Sequence, residues 1–584
     1  MNKVLPFALI LLVISLFSCA DEKKEALTTV DNTETAEKKT WWKEAIVYQI
    51  YPRSFKDSDG DGVGDLRGII NELDYIKSLG INAVWLNPIY ASPNDDNGYD
   101  ISDYRAIMTE FGTMQDFDDL LEGMHKRNIK LVMDLVVNHS SDEHEWFKQS
   151  RSSRDNKYRD YYHWWNAERG TPPARFSFFD VNSDGWKYDS STNAYYLHYF
   201  SRKQPDLNWE NPKVRNEVYD IMKFWLDKGI DGFRMDAFQY VSKDTTFPDY
   251  PKNYEKDIIE YYGMGPNLHK YLQEMNKEVI SKYDIMTVAE GAGSTFDDAI
   301  SLVDPDRHEL NMVYHFEGMD IGNSLDGYDL LDFKKVYTEW DTQLKGKGWN
   351  SIFLANHDVP RMVSKFGNDS EEFRALSSKM LTTFILSMRG TPYYYYGDEL
   401  GMTNVSFNDI KDYKDIAALN GYKKVQNEKG DTDAYMETLK FLSRDNARTP
   451  MQWDATAHAG FTSGTPWIKI NPNYTEVNVA QEDEDSGSCL NYFRAMTKLR
   501  NDNPVLVYGD YELLLPDNDK VYAYTRELEG KKMLVVLNFS EEESHVDLPL
   551  NSDENQVLIN NYDEVEILDK HLTLKPYQSV IFSL

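Results

Sequence analysis

Eight short apolar runs, spaced along the chain and separated by helical patterns, constrain this sequence more than any other feature. They are Ala45–Tyr51, Ala83–Leu86, Lys130–Val137, Gly232–Met235, Ile285–Ala289, Met312–Phe316, Ser351–Leu354 and Thr391–Tyr396. Between several of them apolar residues recur at helical spacing. Leu66, Ile69, Ile70, Leu73, Ile76 and Leu79 form one such face, closed by Gly80. Asn211-Pro212 opens another by N-cap and first-turn proline, carries Val214, Val218, Ile221, Met222 and Trp225 on one face, and ends at Gly229. Eight strands alternating with helices predict an α/β fold, a (β/α)8 barrel.

One interval is too long for the barrel repeat, and it predicts an inserted subdomain at 139–208. After about residue 505 the helical pattern gives way to alternating runs such as VYAYTREL (521–528) and SVIFSL (579–584), which predict a C-terminal antiparallel β-domain at 506–584. The barrel is then built from 41–138 and 209–505. Ahead of it, Lys3 and an apolar run to Phe17 have the length of a signal-peptide core rather than a membrane span. Ser18-Cys19 at its end resembles a bacterial lipobox. The expectation is a signal at 1–18, lipidation of Cys19, a polar tether at 19–40, and export to a bacterial membrane on the outer-membrane, periplasmic or cell-surface side. With Cys489 the only other cysteine, a disulfide framework is excluded. The net charge of −34 argues against nucleic acid, whose binding needs clustered cations.

In a barrel of this kind, chemistry collects at the C-terminal ends of the strands. Those ends deliver Asp134 and His139 from the third strand, Arg234 and Asp236 from the fourth, Glu290 from the fifth, and His357 and Asp358 from the seventh. Acids gathered in one mouth either bind a metal or perform acid/base chemistry with separated pKa values.

DLVVNH (134–139), GFRMDAF (232–238), VAEG (288–291) and FLANHD (353–358) resemble, in order and spacing, the four sequence regions of glycoside hydrolase family 13, the α-amylase family. DDNGYDISDY (95–104), QPDLNW (204–209) and SRDNARTPMQWD (443–454) narrow the resemblance to its oligo-1,6-glucosidase and α-glucosidase branch. The resemblance implies Asp236 as nucleophile, Glu290 as acid/base with the higher pKa, and Asp358 as stabiliser of the transition state, without a catalytic metal. It implies that Arg234 keeps Asp236 ionised, and that His139 and His357 hold sugar hydroxyls. It places Asp96 and Tyr99 at the non-reducing end, Arg444 as the partner of Asp96 with Arg448 as the alternative, and Phe200 in the pocket wall. The activity implied is retaining, exo-acting hydrolysis of α-1,4 or α-1,6 glucosides. A glucosyl-transferring relative, of trehalose synthase or sucrose isomerase type, is the alternative. A non-catalytic sugar-binding protein on this fold is disfavoured, because all three acids are present.

DSDGDGVGD sets Asp57, Asp59, Asp61 and Asp65 at alternate positions, with the Val63 carbonyl between the last two. That is the oxygen-rich spacing of a calcium loop, although Gly68 stands where an EF-hand has Glu. The resemblance implies structural Ca2+, or Mg2+, there. Ala289, Gly291, Val359 and the Tyr-rich GTPYYYYGDE (390–399) depart from the branch, which puts the leaving-group side in question. So does Ala237, where Val tends to accompany α-1,6 specificity in this branch.

Overall fold

The computed structural model describes residues 39–550 and 555–584. The expected signal, Cys19 and nearly all of the tether lie outside the described residues. Eight parallel strands form the central ring: β1 (Val47–Ile50), β2 (Ala83–Leu86), β3 (Lys130–Val136), β4 (Gly232–Asp236), β5 (Met286–Glu290), β6 (Met312–Tyr314), β7 (Ser351–Ile352) and β8 (Thr391–Tyr395). Pairing runs from β6 through β5, β4, β3, β2 and β1 to β8 and β7. A parallel bridge between Val313 and Asn350 closes the gap between β6 and β7.

Strand alternation divides the core in two. Val47, Ala83, Trp85, Val132, Met286, Val288, Met312, Tyr314 and Tyr393 fill the ring, while Tyr48, Ile50, Val84 and Leu86 belong to the separate cluster packed with the outer helices. Helix Pro212–Lys228 starts at Asn211, whose side chain accepts from Lys213 N, and stops at Gly229 in the left-handed region (φ 111°). The helix expected between Leu66 and Gly80 is two shorter ones, Leu66–Asn71 and Leu73–Ser78, broken at Glu72.

The insertion after β3 holds a three-stranded antiparallel sheet, with Ala194–Leu197 between Trp164–Asn166 and Trp186–Asp189. Bridges His139–Asp206 and Tyr162–Leu207 draw its entry and exit together, so the excursion starts and ends at the catalytic mouth. Helix Pro504–Tyr508 carries the helical part slightly beyond 505. After it come a five-stranded and a three-stranded antiparallel sheet. Buried Arg526, on strand Val521–Leu528, ties this region to the barrel by donating to the carbonyls of Ser387 and Leu506 (2.9 Å).

Candidate active site

The register of the parallel sheet builds the centre. Asp134 on β3 pairs with Arg234 on β4, and Val136 with Asp236, so residues two apart point into the same mouth. Asp236 and Glu290 are the last residues of β4 and β5. Arg234, 2% exposed, has one guanidinium for three carboxylates. Nη1 donates to Asp134 (2.8 Å) and Asp236 (2.5 Å), and Nη2 to Glu290. A second tether, from the Ala237 backbone N–H to Glu290 Oε2 (2.7 Å), binds Glu290 to the residue after Asp236. The shared guanidinium and the Ala237 N–H hold Asp236 and Glu290 as neighbours, and a retaining pair needs its two carboxyls close together. The cation between these acids is Arg234, in the place the competing metal reading would fill.

Burial pushes both carboxyls up, Asp236 and Glu290 alike to about 7, against the pull of Arg234. Glu290 was expected to sit above Asp236. Both are raised, chiefly by burial, and the one Arg234 guanidinium opposes that rise at each. Asp358 differs. Burial would raise it, but His357, Arg444 and Arg448 outweigh burial and hold it well below the carboxylate range.

His357 is anchored on both sides. The Gln49 amide donates to its Nδ1 (3.0 Å), which leaves the proton on Nε2 to donate to Asp358 Oδ2 (3.0 Å). Burial keeps the ring neutral, with its pKa lowered to about 4. Tyr99 stacks on this imidazole, with centroids 5.2 Å apart and planes at 8°, and its hydroxyl accepts from Asn87 (2.7 Å) and donates to Asp134 (3.2 Å). His139 Nε2 contacts the Tyr99 carbonyl at 3.0 Å. Both histidines thus position pocket side chains, a task that the expected grip on sugar hydroxyls did not include. Phe200 is half-buried against His139 (5.1 Å) and stacks with Phe178 (5.3 Å), so it forms one wall with the insertion.

Two arginines meet at Asp358. Arg444 donates from Nη1 (3.0 Å) and Arg448 from Nη2 (2.9 Å), both to Oδ1. Arg444 also reaches Asp96, as expected, but only at 3.4 Å. Its shorter partner is Asp415, which contacts both its Nε (2.9 Å) and its Nη2. Asp415, Gln49, Asn87 and Trp85, whose indole N–H binds Asp134 (3.0 Å), were not read from the sequence. Gln49 and Trp85 sit on strands where they pass for core, and Asp415 lies in a loop without a motif.

The departures resolve into packing. Tyr393, Tyr394, Tyr395 and Tyr396 are all buried, and the hydroxyls of Tyr395 and Tyr396 brace the arginine-bearing segment through the carbonyls of Ala447 (3.0 Å) and Thr449 (2.7 Å). Gly291 has φ 91°, and a Cβ there would collide with the Gln239 amide. Val359 is buried core.

In the acidic loop, one carboxylate oxygen from each of Asp57, Asp59 and Asp61 lies within 4.8 Å of the others, which suits a hard cation. Asp65 has another task. It caps helix Leu66–Asn71 through Gly68 N (2.7 Å) and accepts from Ser58 N (2.7 Å) and Ser58 Oγ (2.9 Å). Its carboxylate is committed because the helix begins one residue later. A cavity of about 550 Å3 bordered by Lys411, Trp467, Lys469 and Tyr474 takes in none of the catalytic acids.

Residues 49–509 match the α-amylase catalytic domain, and residues 521–581 the α-amylase SusG C-terminal domain. An oligo-1,6-glucosidase of Parageobacillus thermoglucosidasius is 53% identical over 560 residues, covering 94% of this chain and 99% of its own. An oligo-1,6-glucosidase of Bacillus cereus is 51% identical, with 94% and 100% covered. The solved trehalulose synthase of Pseudomonas mesoacidophila MX-45 superposes with a TM-score of 0.90 at 45% identity, covering 94% of this chain and all of its own. With four motifs at four strand ends, one arginine bridging Asp236 and Glu290, and relatives at half identity covered over nearly their full length, the chain belongs to glycoside hydrolase family 13, the α-amylase family.

Proposed function

We propose that this chain is a retaining, exo-acting α-glucosidase that releases glucose from short α-1,6- and α-1,4-linked oligosaccharides. The observation that carries the reading is the Arg234 bridge between Asp236 and Glu290 (2.5 Å to Asp236), which sets nucleophile and acid/base side by side. Attack by the Asp236 carboxylate on the anomeric carbon forms the glycosyl–enzyme, while Glu290 protonates the leaving oxygen. Glu290 then activates water to release glucose. The likeness to a trehalulose synthase favours one second reading, in which a sugar rather than water meets the same intermediate. A product profile on maltose, isomaltose and sucrose decides between them. Free glucose supports hydrolysis, and a new disaccharide as main product overturns it.

Ala237 bears on linkage. It is 4% exposed and holds the left-handed conformation (φ 46°, ψ 27°) that turns its N–H onto Glu290. Its small side chain leaves the α-1,4 path open, so maltose should be cleaved alongside isomaltose. Ala237→Val should shift the isomaltose-to-maltose ratio of kcat/KM upward by roughly 10–200-fold. A β-branched side chain is also strained at positive φ, so the variant should melt lower. A wild-type enzyme inactive on maltose, or an unchanged ratio in the variant, would remove this role.

A structural cation, Ca2+ or Mg2+, is part of the proposal. Asp57, Asp59 and Asp61 would hold it, with the Val63 carbonyl as a further donor of the loop and Asp65 left to cap the helix. Trp467 N donates to the Gly62 carbonyl (3.0 Å) and Asp57 N to that of Phe461 (3.1 Å), so the ion would staple the loop to segment 461–467. Chelator should lower Tm by roughly 2–5 °C, and Asp59→Ala should do the same and abolish the chelator response. A Tm indifferent to both leaves only an acidic turn.

We further propose that Cys19 is lipidated and anchors the enzyme to a bacterial membrane. The support is the apolar run ending at Ser18-Cys19 and the polar stretch after it. Among the described residues, no helix is long and apolar enough to cross a membrane. Cys19→Ser should move activity from the membrane pellet to the soluble fraction, and activity that is soluble in the wild type would discard the anchor.

A further inference from the structure

Asp415 lies on the loop after β8, outside every segment that carried the family resemblance, and it is 2% exposed. Its carboxylate does two things at once. It caps the twelve-residue helix Ile416–Asn427, accepting from the N–H groups of Ala417 and Ala418 at 3.3 Å each. It also takes Nε (2.9 Å) and Nη2 of Arg444 on its Oδ1. Two charge-assisted donors thus converge on one carboxylate oxygen. What remains of Arg444 is Nη1 for Asp358 (3.0 Å) and a long contact from Nη2 to Asp96 (3.4 Å).

The same helix spans the pocket wall. Asn420 Nδ2 donates to the Phe179 carbonyl (2.8 Å) and Lys424 Nζ to Ser183 Oγ (2.9 Å), both in the inserted subdomain. The Phe179 ring lies 4.9 Å from the Arg444 guanidinium. Asp415 is therefore where helix, wall and arginine join.

The charges set the consequence. Asp96, Asp358 and Asp415 face Arg444 and Arg448 in a buried cluster. A carboxylate has about four lone-pair positions, and a bidentate arginine occupies two of them. With Arg444 drawn to Asp415, Asp96 keeps lone pairs for sugar hydroxyls, while Asp358 is already taken by Arg444, Arg448 and His357. Without that competitor, the guanidinium would close on Asp96, because a cation taken largely out of water re-pairs with the nearest anion. We propose that Asp415 is a positioning residue of the sugar pocket, holding Arg444 off Asp96 so that the Asp96 carboxylate remains an acceptor for the bound glucose ring. The inference rests on the α-glucosidase reading.

The test uses the fact that Asn and Asp are equally good N-caps. Asp415→Asn in the full chain keeps the cap and removes the charge. It should raise KM for isomaltose, and the dissociation constant of free glucose read by calorimetry, by about tenfold or more, with Tm nearly unchanged. Asp415→Ala should give the same loss of affinity with a lower Tm. Asp415→Glu, which keeps the charge on a longer arm, should recover most of the glucose affinity. Wild-type KM and glucose affinity in Asp415→Asn would overturn the proposal. So would an Asp415→Glu variant as weak as Asp415→Ala, and this arm stands even if Asp415→Asn fails to fold. A wild-type chain that binds glucose but releases none from isomaltose or maltose would sink the glucosidase reading, while the calorimetric comparison still tests Asp415.

Discussion

Replacing Asp236 with Asn should leave a folded protein whose turnover of p-nitrophenyl α-glucoside has fallen by about four orders of magnitude or more. The amide fits the same space at the end of β4, and its carbonyl can still accept from Arg234. It lacks the charge that attacks the anomeric carbon, so the covalent intermediate cannot form. Loss of a buried charge should also change stability in a defined direction. In the folded protein Asp236 sits at about 7, above its unfolded value. A carboxyl raised by folding binds more protons in the native state, so its contribution to stability falls as pH rises from about 4 through 7. Asp236→Asn removes that penalty, and at pH 8 it should melt no lower than the wild type. Near-normal turnover in a folded variant would end the nucleophile assignment, and a lower Tm at pH 8 would show that the charge supports the fold.

Glu290→Gln should divide substrates by their leaving groups. Cleavage of isomaltose needs a proton delivered to a poor leaving oxygen, and should slow by roughly 10²–10⁴-fold. Attack on an activated aryl glucoside needs little protonation and should slow far less in its first step. The wild-type kcat/KM profile should fall above pH 7, where Glu290 loses its proton, and the variant should lack that limb. The geometry explains how one residue serves both steps. The negative charge on Asp236 is one of the influences that raise Glu290. Forming the glycosyl ester neutralises Asp236, so Glu290 becomes a stronger acid just when it must hand its proton on and then act as base. Equal slowing on both substrate types would count against this role.

The guanidinium shared by Asp236 and Glu290 illustrates what the chain alone does not disclose. Both acids were legible because each ends a strand, and strand ends are visible as apolar runs followed by a charged residue. That one guanidinium would bridge them depends on the β3–β4–β5 register, which no local pattern encodes. Asp65 shows the same limit in reverse. Its spacing within DSDGDGVGD reads as a ligand, but the helix that begins at Leu66 takes its carboxylate as a cap. The histidines follow suit. FLANHD marks His357 as important, yet its tautomer is set by Gln49, more than 300 positions earlier.

Periodicity by itself determined the barrel, the insertion after β3 and the antiparallel C-terminal domain, because strand and helix patterns are local and repeat with fixed periods. Motif order singled out Asp236, Glu290, Asp358 and Arg234 as candidates. Tertiary structure alone decided the partners. Arg444 was expected on Asp96 and is held chiefly by Asp415, while Arg448 shares Asp358 with it. The reason is that hydrogen bonding between buried charges is a competition settled within a few ångströms. Asp96, Asp358, Asp415, Arg444 and Arg448 come from four separate stretches of chain, and only folding brings them close enough to compete.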